Sequence, residues 1–271
     1  MKERGFTLVE LSIVLIIIGL LVAGILVAQS MIRTTQINSL IRQLQQYDVA
    51  VSNFQLSYGC IPGDCRAMTP ASNSDGLIES GATQDDNFTG EIAAFWNVLS
   101  MLGLVKDNIV YSTDATTGIR AGVNVPRVSL GRDTGVMVSC EWESAARAPG
   151  DEQDYPDWDG RYNYYHLFST AGTTSDSILT ATPGMDYSLP AIDALAVDTK
   201  MDNGNAITGN VRVAAAQERK AFYSGAPTYN ETAGSGCVMN GDNTQYNIAS
   251  TSAYPCALMI PLLSQVGQRD I

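Results

Sequence analysis

The chain has 271 residues, with 16 lysines and arginines against 28 aspartates and glutamates, and a formal net charge of −12. Nucleic-acid-binding surfaces need clustered cations, so this balance argues against a nucleic-acid partner. The nearest candidate for a nucleic-acid site is Arg120, Arg127 and Arg132, which are spread along a loop-like segment and are typical of solvated surface. The length allows one N-terminal helix and one sizeable domain, or two small domains.

A five-residue charged leader opens the chain and ends at Gly5, and a long apolar run follows it. Leu11 to Ala28 are 18 consecutive residues without a charge, enough for a helix to cross most of a bilayer core. Glu10 stands just before them. A carboxylate costs roughly 2.5–3.5 kcal/mol at the membrane centre and less near an edge. Glu10 therefore predicts a positively charged partner at the same depth.

Two simpler interpretations of this segment are a secretory signal peptide and a plain membrane anchor. A signal peptide has an apolar core of about 7–15 residues and then a small-residue cleavage site, whereas this run is longer and continues into more helix. A plain anchor has no use for Glu10. A membrane-anchored periplasmic protein would keep residues 1–5 and would form no multimer.

The next segment continues the helix with one buried face. It contains no proline or glycine before Gly59, and apolar residues recur at three- and four-residue steps. These residues are Ile37, Leu40, Leu44, Tyr47, Val51, Phe54 and Tyr58, while Asp48 is assigned to the polar faces. Such a stripe is typical of a helix that packs on a globular domain. The two segments together predict one helix over 6–58, about 78 Å long.

After Gly59 the composition changes to glycine, asparagine, aspartate, serine and threonine with short apolar stretches. An amphipathic pattern over 91–104 predicts a second helix with Leu102 on its buried side. Strands are predicted near 134–142, 162–169, 176–181 and 209–216.

A third helix is predicted over 189–200, with Ser188 as its cap and Pro190 in its first turn. These elements predict an α+β fold, in which the long N-terminal helix packs on a globular head with an antiparallel β-sheet. We define the head as residues 59–271.

Five cysteines are present, and disulfides persist in an oxidising compartment. Cys60 and Cys65 enclose a Pro-Gly turn, and a bridge there would contribute about 2 kcal/mol. Cys237 and Cys256 bracket a polar loop, and their bridge would contribute about 3 kcal/mol. Cys140 falls on an apolar strand face, which indicates a buried free thiol. Five choices of the unpaired cysteine and three pairings of the rest give fifteen arrangements, so other pairings stay open.

Gly5-Phe6-Thr7-Leu8-Val9-Glu10 resembles the processing site of type IV prepilins and type II secretion pseudopilins. In that family a dedicated peptidase cuts after the glycine on the cytoplasmic side and N-methylates the exposed phenylalanine. The resemblance implies cleavage after Gly5, which removes the leader 1–5, methylation of Phe6, and an assembly role for Glu10. The Phe6 amine of one subunit would neutralise Glu10 of a neighbour.

The resemblance also implies a route from membrane to filament. The precursor would span the bacterial inner membrane once, be cut by prepilin peptidase, and be assembled by inner-membrane machinery into a periplasmic or cell-surface helical filament. We therefore expect a structural subunit of a type IV pilus-like filament. A head of 213 residues (59–271) favours a minor or specialised subunit. A type II secretion pseudopilin and a filament-borne adhesin with a ligand-binding head are the alternatives.

Two later stretches are similar to segments of a large group of pilin-like proteins, one from Phe54 to Asp64 and one over 198–209. The second could bind Ca²⁺, which takes about six to eight oxygen ligands and binds in the heads of some pseudopilins that this chain resembles. Its candidate ligands are Asp198, Asp202, Asn203 and Asn205. An Asn-Gly turn whose side chains bond the local backbone is the favoured alternative.

The sequence does not predict an enzyme. The single histidine, His166, lies in an aromatic strand-like segment, and no Gly-x-Ser-x-Gly, P-loop or Gly-x-Gly-x-x-Gly motif occurs. Carboxylate pairs are too frequent in so acidic a chain to identify a site. The acidic aromatic stretch 151–159 is interpreted as a solvated loop, with binding of a sugar, a partner head or a cation as the alternative.

Overall fold

The computed structural model describes residues 7–69, 72–79, 88, 90–111, 119–131, 133–140, 163–169, 188–213, 236–239, 242–250 and 256–262. In these residues a long helix precedes a globular part that contains two shorter helices and an antiparallel sheet. The helices are α1 (Leu8–Tyr58), α2 (Gly90–Met101) and α3 (Ala191–Met201). The strands are β1 (Thr134–Cys140), β2 (Asn163–Ser169), β3 (Arg212–Val213), β4 (Val238–Met239), β5 (Asp242–Tyr246) and β6 (Leu258–Pro261). The predicted α+β class is confirmed.

Helix α1 is continuous for 51 residues, through Gly19 and Gly24, and ends at a left-handed glycine. Gly59 has a φ of 70°, and its N–H donates to the Gln55 carbonyl at 2.8 Å. Glycine is the usual residue at such a helix end because it carries no Cβ to oppose positive φ. The polypeptide therefore leaves the helix one residue after Tyr58.

The second half of α1 presents the predicted stripe to the core, with two differences. Tyr58 is 46 % exposed because it is the last helical residue and packs only beside Phe54, with the ring centroids 4.7 Å apart. Asp48 is buried rather than solvent-facing, since the Tyr165 hydroxyl donates to its carboxylate at 3.1 Å. The predicted stripe residues with less than 5 % exposure are Ile37, Leu40, Leu44, Tyr47, Val51 and Phe54, and Ala50, which the pattern did not include, is buried beside them.

Helix α2 ends three residues earlier than the sequence pattern predicts. Gly103 has a φ of 67°, and the N–H groups of Gly103 and Leu104 donate to the carbonyls of Ser100 and Leu99 at 3.0 and 2.9 Å. This is the paired hydrogen bonding of a Schellman end. Leu102 is consequently 39 % exposed, where the pattern placed it on the buried side.

The four-stranded sheet has the order β1-β2-β6-β3, and each neighbouring pair is antiparallel. The strands near 134–142 and 162–169 are therefore present, whereas only two residues of the predicted 209–216 strand are described as strand. The prediction at 176–181 lies outside the described residues. An aromatic cluster joins the helices to the sheet, with the Trp96 ring 4.6 Å from Tyr47 and 6.3 Å from Tyr165 between centroids.

Helix α3 begins after Pro190, and the prediction of Ser188 as its cap is wrong. An antiparallel bridge between Leu189 and Cys256, with both N–O distances 3.0 Å, holds the chain extended up to Pro190. The Ser188 hydroxyl is buried and has no hydrogen-bond partner among the described residues. Two polar contacts tie α3 to α1: Arg33 Nε lies 2.8 Å from Asp193 Oδ1, and Lys200 Nζ donates to Asn38 Oδ1 at 2.7 Å.

Candidate assembly site

The N-terminal end of α1 is closed by its own side chains. Thr7 is the N-cap residue, and the Glu10 Oε2 atom accepts from the Thr7 backbone N–H at 2.8 Å and from the Thr7 hydroxyl at 2.9 Å. In return the Glu10 N–H donates to Thr7 Oγ1 at 3.3 Å. This reciprocal arrangement is a capping box. The Thr-x-x-Glu spacing in the sequence indicates this capping box. The assembly role expected for Glu10 does not depend on that spacing.

In the first half of α1, which we define as residues 8–28, no side chain is buried by the described residues. Every residue from Thr7 to Thr35 is exposed, and Leu8 and Leu20 are 89 % and 70 % exposed. By length and composition, α1 is the one helix among the described residues that could cross a membrane. Its most apolar window contains no buried residue, so this half is not the core helix of a soluble domain. The described residues therefore leave its apolar side chains uncovered.

The processing residues Gly5 and Phe6 lie outside the described residues. Glu10 is exposed at the edge of the apolar half, where a neighbouring subunit could approach its carboxylate. The capping box places this carboxylate on the side of the helix end that faces Thr7. In a chain cut after Gly5, Thr7 would be the second residue. The new terminal amine would then belong to the residue directly before Thr7, whose N–H and hydroxyl bond the same carboxylate.

Both cysteine pairs favoured from the sequence are disulfides in the structure. The Cα atoms of Cys60 and Cys65 are 5.4 Å apart, and those of Cys237 and Cys256 are 4.9 Å apart. Cys140 is a buried free thiol in β1. Burial raises the pKa of the Cys140 thiol far above its usual range, so the thiol is neutral and unreactive.

At the calcium candidate, Asp198 already has two hydrogen-bond donors. Its Oδ1 atom accepts from the Gly204 N–H at 2.9 Å, and its Oδ2 atom accepts from the Tyr246 hydroxyl at 2.8 Å. Burial raises the pKa of Asp198, although these hydrogen bonds oppose the shift. The carboxylate thus joins the end of α3 to β5.

The other three candidate ligands also bond the local backbone. Asp202 accepts from the N–H groups of Asn210 and Val211, Asn203 Oδ1 accepts from the Asn205 N–H at 2.7 Å, and Asn205 Oδ1 accepts from the Ile207 N–H at 3.1 Å. Gly209 has a φ of 87°, and a Cβ there would overlap the Asp202 carboxylate. Within the described ranges, no group of three His, Cys, Asp or Glu side chains is arranged to hold a metal ion. The arrangement is that of an Asx-turn loop.

His166 is buried in the sheet. Its Nε2 atom lies 2.9 Å from the Ser139 hydroxyl on the neighbouring strand, and burial lowers its pKa to about 4. The imidazole is therefore neutral at physiological pH. The acidic stretch 151–159 lies outside the described residues.

Comparison with known proteins gives one match. The family model described as a prokaryotic N-terminal methylation motif matches residues 1–26. No curated protein and no solved structure matches the chain. The matched range contains Gly5, Phe6 and Glu10 and reaches into the exposed half of α1. The chain therefore carries the prepilin motif of type IV pilins and pseudopilins.

Proposed function

We propose that this protein is a structural subunit of a type IV pilus-like filament. Its precursor would be inserted in the inner membrane through α1, cut after Gly5 by prepilin peptidase, and added to a helical filament. The observation that carries the proposal is the methylation motif at residues 1–26 in front of an apolar helix half with no buried residue. That half needs a membrane first and neighbouring helices afterwards.

The move of a subunit from the membrane into the filament explains why Glu10 is needed. Lipid tails are as apolar as leucine side chains, so burial among neighbouring helices gains little hydrophobic free energy over the membrane. Packing of side chains and a specific charge pair must then favour the filament. A pair between the carboxylate of Glu10 and a neighbour's Phe6 amine would supply the charge pair. It would also set the axial register of each new subunit.

We infer a structural rather than a catalytic role for the head. The buried histidine hydrogen-bonds Ser139 across two strands, and the carboxylates at the turn after α3 bond the local backbone. The size of the head favours a minor or specialised subunit. A type II secretion pseudopilin carries the same motif, and a filament-borne adhesin would add a ligand to the same architecture.

Mass spectrometry of the N-terminal peptide from native cells tests the proposal. Material sheared from the cell surface is compared with membranes. A peptide that starts at N-methylated Phe6 in the sheared fraction supports a surface filament, and its amount separates a major from a minor subunit. The same peptide in membranes alone supports a pseudopilin or a rare component. An intact chain that still contains residues 1–5 in both fractions overturns the proposal.

A further inference from the structure

Two carboxyl side chains meet inside the head, next to the first disulfide. Asp64 lies in the loop closed by Cys60 and Cys65, and Glu91 lies in the first turn of α2. Each is only 2 % exposed, and their side chains are close enough for Asp64 to raise the pKa of the Glu91 carboxyl. Gly63 makes this approach possible, since its φ is 86° and a Cβ there would lie 2.5 Å from the Glu91 backbone carbonyl.

The pair binds one segment, residues 72–79, which we call the strap. Asp64 accepts three hydrogen bonds from it: from the Ser72 hydroxyl at 2.7 Å and from the N–H groups of Ser74 and Gly76, both at 2.6 Å. Glu91 accepts two more, from the N–H groups of Asn73 and Glu79, both at 3.1 Å. Residues 72, 73 and 74 thus bind the two carboxyl groups in turn, and Gly76 and Glu79 add one bond to each.

The strap needs these bonds because its backbone is strained. Ser74 has a φ of 60°, in the left-handed region that opposes a Cβ. Such conformations persist where the surroundings over-determine them. At its far end the strap is held by the sheet: the Ile78 N–H donates to Asn163 Oδ1 at 2.7 Å, and the Cys140 N–H donates to the Ile78 carbonyl at 2.9 Å.

Among the described residues, the titratable groups that interact with the pair are acidic or neutral. The hydrogen bond that Arg66 makes to the strap comes from its backbone N–H, which donates to Ser74 Oγ at 3.3 Å. Asp75 and Glu79 face it from the strap, and the Cys140 thiol faces it from β1. In the described part of the chain, no ion pair joins these carboxyl groups to a lysine or arginine. Two ionised carboxylates in contact away from water repel each other, so such a pair retains a proton that isolated carboxyls would lose.

We propose that Asp64 and Glu91 form a proton-dependent latch on the strap. With one proton between them, the two groups attract each other and hold the five strap donors in place. When that proton leaves, the carboxylates repel, and the end of the strap nearest the disulfide loosens while the end at Ile78 stays on the sheet. The order of this segment then reports the pH of the compartment around the head.

The direction of the effect follows from the pKa shift of Glu91. Burial, and then the nearby Asp64, raise the pKa of Glu91 from 4.5 to about 7, against the hydrogen bonds from Glu79 and Asn73. A carboxyl group that binds its proton more tightly in the closed strap stabilises closure fully below its ordinary pKa, and it loses this contribution as pH rises through the raised pKa. The strap should therefore be tightest at acidic pH and looser above neutrality. Burial also raises the pKa of Glu79. A variant of Glu79 is therefore needed to show that its titration does not cause the effect.

Hydrogen-exchange mass spectrometry of the full chain in detergent micelles tests the latch. Protection factors are measured from pH 5 to pH 8 and corrected for the intrinsic exchange rate. In the wild type, the amides of residues 72–76 should lose roughly tenfold to a hundredfold of their protection over this range, since each unit of pKa shift corresponds to about a factor of ten. A peptide that covers 163–169 in β2 should show a constant protection factor.

Two variants identify which carboxyl group carries the proton that controls the strap. Glu91→Gln carries no titrating proton, so its strap protection should be independent of pH whatever its absolute value. Glu79→Gln keeps the Glu79 backbone donor and should retain the wild-type drop. A flat wild-type profile, or an unchanged drop in Glu91→Gln, overturns the latch. Carbon-13 titration of the wild-type protein needs no variant: the Glu91 carboxyl should titrate near neutral pH, and a Glu91 midpoint below pH 5 would also overturn the latch.

Discussion

The two halves of α1 are one continuous helix in two opposite situations. Leu20 in the first half is 70 % exposed, whereas Leu44 in the second half is 1 % exposed. The first half, residues 8–28, carries one charge, Glu10, and contains no buried residue, while the second half buries a narrow stripe against α2, α3 and the sheet. Since the helix conformation is the same, the difference lies in what surrounds it. The described residues cover side chains of the second half only.

This contrast separates stability of the head from assembly of the filament. A change in the second half should act on the head alone, because its side chains pack within the chain. A change in the first half should leave the head intact and act on membrane insertion or on packing between subunits. Mutations in the two halves of the helix should therefore change different measured properties.

The largest effect is expected at Glu10. Removing one partner of a buried charge pair costs about 3–5 kcal/mol, so Glu10→Ala should be processed after Gly5 as usual but incorporated poorly into filaments. The ratio of this variant to wild type in sheared filaments, compared with the ratio in membranes, measures the defect. Urea unfolding of the head should be unchanged.

Thr7→Ala is the matched control for Glu10, because it breaks the capping box and keeps the carboxylate. Loss of an N-cap costs typically about 1 kcal/mol, so this variant should assemble nearly as well as wild type. If Thr7→Ala assembles as poorly as Glu10→Ala, then Glu10 acts through the helix cap, and its role in pairing between subunits is wrong.

A pair of identical substitutions tests the contrast directly. Leu44→Ala removes a side chain from the packed stripe and should destabilise the head by about 2–5 kcal/mol. Leu20→Ala removes the same atoms from the exposed half and should change head stability by less than about 0.5 kcal/mol, although it should weaken filament packing. Urea denaturation followed by tryptophan fluorescence measures both, since Trp96 lies in the same core. Equal destabilisation by the two variants would show that the halves are not independent.

A smaller effect is expected where α1 turns into the head. Gly59→Ala forces a side chain into a φ of 70° with no atom within 4 Å of the added Cβ, so the cost is conformational, about 1–2 kcal/mol. The midpoint of head unfolding should fall accordingly. Gly24→Ala also meets no atom within 4 Å, but it lies inside the helix and should not lower this midpoint. A stable Gly59→Ala variant would mean that the helix can continue past residue 59.

Local patterns explain why much of this molecule was predictable. The spacing from Ile37 to Phe54 predicts the buried stripe because a helix repeats every 3.6 residues. The two disulfides join cysteines that are close in sequence around turns, so short-range geometry favoured them over the other pairings. The Thr-x-x-Glu cap was also present in the sequence, although it was overlooked.

The failures share a different cause, which is contact between residues far apart in sequence. Asp48 is buried because it accepts a hydrogen bond from Tyr165, which lies 117 positions away in the sequence. The helical spacing of apolar residues cannot predict a contact over that sequence distance. Ser188 loses its capping role because Cys256 holds its neighbour Leu189 in an extended bridge. Glu91 has the acidic character typical of a first helical turn, so its sequence position gives no sign of a partner at Asp64.

The prepilin motif, the single long helix and the division of that helix into an apolar half and a one-sided half follow from local sequence patterns. These depend on neighbours within a few residues, where spacing sets which side chains share a face. The strand order β1-β2-β6-β3, the burial of Asp48, and the meeting of Asp64 with Glu91 over the strap arise from long-range packing. These depend on how the chain closes on itself, and a buried carboxyl group acquires its chemistry from the groups that this closure places around it.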